Sequence, residues 1–257
     1  PVAGDPHARL SPDALRRAAR TLRRMGRPVP PAVPGSPTWG IILRNTIGEP
    51  TAALRGGPFG RSTPSGLAAN VPPPYGVGSL GILVGTAAEK VVYGNETIFA
   101  GLPLRDIGVL KYWIYVGMDT ASFNGLPNIS IEADPRLASL PGVTYTSLNY
   151  VPARSTPPST PPAVLPNTWQ QYNASGAGSG WYATSGAVQA ATGCSLATPC
   201  SWNVLKSRLP NAIVSFSIGI NVGTGLPFAG AVDGLQINRT VFDFERYGVR
   251  RTVPRPL

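Results

Sequence analysis

The chain has 257 residues, of which 42% are hydrophobic and only 13% charged, with 30 Gly and 29 Pro. So little charge and so many turn formers argue against a helical bundle and for an all-β domain with long connections. The formal charge of +10 is concentrated at the ends: residues 1–38 carry seven Arg against two Asp, and residues 248–257 carry three Arg. A nucleic-acid groove normally lies on the folded body, so nucleic acid is not its expected partner.

The first element is a helix. Ser11, Pro12 and Asp13 read as N-cap, first helical residue and acidic first turn, and Gly26 as the stop. Between them Leu15, Leu22 and Met25 make a thin apolar stripe, and Arg16, Arg17, Arg20, Arg23 and Arg24 cover most of the rest. Such a stripe is too narrow for a domain core. It suits a contact with a partner, either another copy or a polyanionic surface, with Arg16, Arg17, Arg20, Leu22, Arg23 and Arg24 as the contact residues. The alternative is a solvated helix or tail. GRPVPPAVPGSP follows as a semi-rigid spacer, so residues 1–38 are expected to form a basic extension.

From Trp39 to residue 247 the pattern predicts strands. GIILRN (40–45) and SLGILVG (79–85) read as buried strands separated by a long Gly/Pro-rich loop. KVVYG and ETIFAG follow, and in VLKYWIYVG the residues Leu110, Tyr112, Ile114 and Val116 share one face. NISIEA, VTYTSLNYV, TWQQY and GWYAT continue the series, with PARSTPPSTPP (152–162) as an exposed excursion. SWNVLKSRL (201–209) predicts a short helix capped by Ser201. In AIVSFSIGINVG the alternation puts Val214, Phe216, Ile218 and Ile220 on one face. AVDGLQIN and TVFDFE close the body, and residues 248–257 read as a basic tail. About ten strands with one minor helix predict an antiparallel jelly-roll β-sandwich, with an Arg-rich N-terminal helix and Pro-rich extensions.

The segments YWIYV (112–116), ISIEADP (129–135), NTWQQY (167–172) and AVDGLQINRTVFDFE (231–245) come in an order that resembles secreted jelly-roll modules of the galactose-binding and laminin-G-like kind. The resemblance covers about residues 109–245 at the level of fold, and it implies a binding or structural role rather than a particular ligand. Glu132 and Asp134 lie two apart on one strand face, and paired carboxylates serve glycoside hydrolysis. Sandwich-fold glucanases carry a third acid further along; here Pro135, Arg136 and Leu137 follow instead. A structural calcium ion held by Glu132, Asp134 or Asp233 with backbone carbonyls is the other use of these acids, beside plain surface positions. No other cofactor is expected.

Trp169, Tyr172, Trp181 and Tyr182 fall on adjacent strands and could form a stacking platform for sugars; the competing reading is core packing with polar tips at the edge. Cys194 and Cys200 can close as a short disulfide loop suited to an oxidising compartment, or remain two thiols. Asn95, Asn128, Asn173 and Asn238 each begin an Asn-x-Ser/Thr triplet, a glycosylation acceptor where the source glycosylates. The only histidine, His7, lies in the leading segment, which removes most His-dependent catalysis and any multi-His zinc site from the body. No apolar run reaches the ~20 residues of a membrane span.

The sequence therefore leads to a non-enzymatic structural or binding subunit of an extracellular, cell-surface or virion-surface assembly, partnered by other copies or other subunits. A carbohydrate-binding module is the alternative, and a polysaccharide-active hydrolase a more distant one.

Overall fold

The computed structural model describes residues 9–61, 69–117, 125–223 and 225–253; His7 lies outside them. Two large antiparallel sheets pack face to face. In one, β1 (Gly26–Pro28), β3 (Thr51–Gly56), β6 (Gly78–Val84), β14 (Phe228–Ile237), β15 (Thr240–Glu245) and β16 (Gly248–Thr252) follow in that order. On the other flank of β14 lies β8 (Leu110–Val116), which carries β11 (Trp169–Asn173). The second sheet runs β12 (Trp181–Ala183), β10 (Thr146–Tyr150), β9 (Asn128–Asp134), β13 (Ile213–Val222), β7 (Val91–Asn95) and β2 (Gly40–Ile41). A small ribbon pairs β4 (Gly60–Arg61) with β5 (Ala69–Val71).

Period-2 alternation builds the core, as expected. Tyr112, Ile114 and Val116 of the eight-stranded sheet meet Ile129, Ile131, Leu148, Ile218 and Ile220 of the six-stranded one in a single buried cluster. The segment between the first two predicted strands is not a bare loop: β3, β4 and β5 lie within it. The predicted short helix is present as α3 (Trp202–Arg208), preceded by α2 (Gly186–Thr192). Cys194 and Cys200 form a disulfide with a Cα–Cα distance of 5.2 Å, and Cys200 exchanges backbone hydrogen bonds with Trp181. The disulfide thus fixes the α2–α3 connection to β12.

Helix α1 (Pro12–Met25) begins as its sequence predicts, with Ser11 Oγ accepting from Ala14 N at 3.2 Å. Its apolar stripe does not face outward to a partner. Leu10, Ala14 and Leu22 pack on Ala53, Leu83 and Ala229, on the face of the eight-stranded sheet opposite the core. Gly26 then leads directly into β1, which pairs with β3. The basic tail is likewise drawn in, since Gly248–Thr252 pairs with β15. Arg16, Arg20, Arg23 and Arg24 remain on the exposed side of the helix, and Arg17, also exposed, borders its seam with the sheet. Among the described residues, no helix is long and apolar enough to cross a membrane.

Candidate functional site

The residues that carry the chemistry expected from the sequence fall in separate places. Glu132 stands on the outer face of the six-stranded sheet, while Asp233 belongs to β14 of the other sheet, so these two acids cannot share one ion. Asp134 pairs with Arg136 at 3.2 Å. Among the described residues, no three His, Cys, Asp or Glu side chains are grouped to hold a metal.

Three of the four proposed stacking rings are buried. Trp181 and Tyr172 are core residues, with Trp181 Nε1 donating to Ala174 O at 2.6 Å. Trp169 packs on Tyr115 and donates to Pro58 O at 3.0 Å. Burying the ring and satisfying the indole N–H suits tryptophan as a core residue. Tyr182 is half-buried and lies opposite Asn149 on the same sheet face as Glu132. Of the four Asn triplets, Asn95 is buried, with Nδ2 donating to Pro37 O at 2.6 Å, which leaves no space for a glycan. Asn238 Nδ2 donates to Asp106 O. Asn128 and Asn173 are half-buried, and Asn173 Oδ1 accepts from Ser175.

Glu132 is the centre of a built polar cluster. Its carboxylate is 1% exposed yet accepts from Asn45 Nδ2 and Tyr145 Oη at 2.8 Å each and from Ser217 Oγ at 2.6 Å. Arg44 donates to it in a fork, with Nε at 3.1 Å from Oε1 and Nη2 on Oε2, and gives Nη1 to Glu96. Burial alone would push the Glu132 carboxyl up, but the hydrogen bonds from Arg44, Ser217 and Tyr145 outweigh it and hold the group below its ordinary value. A carboxylate held ionised in this way has no proton to give at neutral pH, so its contribution is charge and rigidity. Nearby Lys90 is pulled down by burial, against the opposing pull of Glu132.

Beside this network stand two exposed rings, Phe216 at 49% and Tyr145 at 40%, with centroids 6.1 Å apart. The Arg44 guanidinium lies 5.2 Å from the Phe216 centroid, a cation–π contact. Strict alternation assigns Phe216 to the core face with Val214 and Ile218. A register shift against β9 between Val214 and Ile218 turns it out instead. A bulge of this kind re-aims a side chain and is common beside functional sites. Further along the same face, Asn149 and Asn221 are 4% and 5% exposed, and Asn221 Oδ1 has no hydrogen-bond partner among the described residues.

Comparison with protein-family models, with curated proteins and with solved structures finds no match for this chain.

Proposed function

We propose that this chain is a non-enzymatic binding module of an extracellular, cell-surface or virion-surface assembly. Its ligand is a glycan, met on the outer face of the six-stranded sheet at Tyr145, Phe216 and Arg44. The observation that carries this reading is the pair of exposed rings held beside an immobilised Arg–Glu network. Rings of this kind take the C–H face of a sugar, while Asn45, Ser147 and Arg44 offer donors and acceptors for its hydroxyls. The disulfide, and the resemblance to secreted galactose-binding and laminin-G-like modules, agree with a binding role outside the cell.

A glycan array probed with the wild-type chain and with the Tyr145→Ala/Phe216→Ala double variant tests the proposal. Saturable binding that the double variant loses supports it. Absence of glycan binding, or equal binding by the variant, defeats it.

A second reading, assembly through the Arg face of α1, draws on the exposure of Arg16, Arg20, Arg23 and Arg24. Light scattering across a salt series separates the two, because contacts between exposed charges weaken as the Debye length falls below ~8 Å.

A further inference from the structure

Helix α1 does not lie flush on the eight-stranded sheet. Between them is a cavity of about 320 Å³, walled by Arg55 of β3, Tyr115 of β8, Asn167 and the side of the helix that carries Arg17, Ala18 and Thr21. Glycines allow it to form. Arg55 stretches across Gly81, where a Cβ would come within 2.7 Å of its Cδ atom. Gly230 lines the cavity itself.

The composition of this wall is unusual. The Arg55 guanidinium donates from Nε to Gly56 O at 3.2 Å, and Nη2 lies 3.9 Å from Met25 Sδ. Among the described residues no carboxylate contacts it, and no Asp or Glu lines the cavity. Its titratable neighbour is Tyr115, which also senses Arg61. Burial pulls the Arg55 pKa down, the signature of a cation taken from water without a counter-charge. Tyr115 Oη donates to Asn167 Oδ1 at 3.0 Å, which leaves the Asn167 amide NH₂ as a further donor at the wall. A part-buried guanidinium with an open face and a neighbouring amide donor is complementary to an oxyanion.

We propose that this cavity binds a small molecule through a carboxylate or phosphate group held by Arg55 and Asn167. The site lies on a different sheet from the Tyr145–Phe216 surface and does not depend on it.

Isothermal titration of the full chain with inorganic phosphate and with acetate, and with acetamide as the uncharged control, tests the proposal. Saturable binding of an anion but not of acetamide is expected. Tighter phosphate binding indicates a phosphorylated ligand, and tighter acetate binding a carboxylic acid. Arg55→Gln should weaken binding about tenfold or more, the worth of one charge-assisted hydrogen bond. Should that variant fail to fold, Asn167→Asp serves instead. Its backbone φ of 54° is tolerated by Asp, and it sets a carboxylate beside Arg55 that should abolish anion binding while keeping the fold. The proposal is overturned if neither anion binds saturably, or if the folded variants bind like the wild type. It is also overturned if Arg20→Gln/Arg24→Gln on the exposed helix face removes the binding.

Discussion

Replacing Asp233 with Asn should lower stability in mild acid and raise it in alkali. Asp233 is fully buried at the kink of β14, where its Oδ1 accepts from Phe244 N at 3.0 Å and its Oδ2 from Tyr75 N at 3.2 Å. Burial, aided by the charge of Asp243 and opposed by the bond from Phe244 N, pushes its carboxyl up to about 8. In the unfolded chain the same group titrates near ~3.9. Between these values the native state holds the extra proton, so stability falls as pH rises through the window from ~4 to ~8. Four pH units at about 1.36 kcal/mol each amount to roughly 5 kcal/mol, an order-of-magnitude figure. Asp243, pushed to about 6 by burial and by Glu245, adds a slope of the same sign below that value. Asn cannot ionise, so the variant keeps only the Asp243 share. It also turns an NH₂ group toward one of the two backbone N–H donors, at a cost of about 1–3 kcal/mol. A protonated Asp retains a lone pair on each oxygen and avoids that conflict. The wild type should therefore be the more stable at pH 5 and the variant at pH 9. Urea unfolding followed by tryptophan fluorescence, for which the chain offers five Trp, reads the difference. Parallel stability curves for the two proteins from pH 4 to pH 9 would refute the reasoning.

Glu132→Gln should cost about 2 kcal/mol at pH 7, a value discounted because Arg44 is half exposed. Because the folded pKa of Glu132 is depressed, this loss should shrink as pH falls below the ordinary carboxylate range toward that value, which urea titrations at pH 7 and at successively lower pH will show. Trp181→Ala should cost about 3–5 kcal/mol, and Tyr145→Phe less than about 1 kcal/mol, in the same unfolding assay. Leu22→Asp should release α1 without unfolding the sandwich. Losing about 2 kcal/mol of burial there implies trypsin cleavage at Arg20–Arg24 that is faster by roughly thirtyfold, with the main unfolding transition unmoved.

The strands that build the core were legible because alternation is local. Leu110, Tyr112, Ile114 and Val116 announce their shared face within seven residues. The cap of α1 was legible for the same reason. What its Leu22 stripe would meet was not, because Ala53, Leu83 and Ala229 are distant in sequence and their small side chains do not advertise a docking surface. Phe216 was misplaced because the register against β9 moves by two residues between Val214 and Ile218, which turns Phe216 out locally while Ile218 and Ile220 keep the core face, and nothing in SFSIG marks the irregularity. Ser185 before α2 and Gly193 after it, the latter at φ 65°, are readable cap signals that could have revealed that helix. In VDG…FDFE the sequence offered Asp233 as a metal ligand. The fold uses it to bind the backbone of the neighbouring strand, a role that becomes visible only when β14 and β15 are laid side by side.

Two of the outer strands of the eight-stranded sheet also constrain how copies of this protein meet. A bare sheet edge is a template on which a neighbour's backbone can elongate into a fibril. Here one edge is the three-residue β1, which ends in Pro28, a residue with no N–H to offer. Another is β16, whose Arg250 and Arg251 are exposed. Two copies paired β16 to β16 would bring their guanidinium groups together. Strand addition is therefore resisted at β1 and β16, while the third outer strand, β11, holds the backbone at Ala163 and Leu165 through the Gln170 side chain.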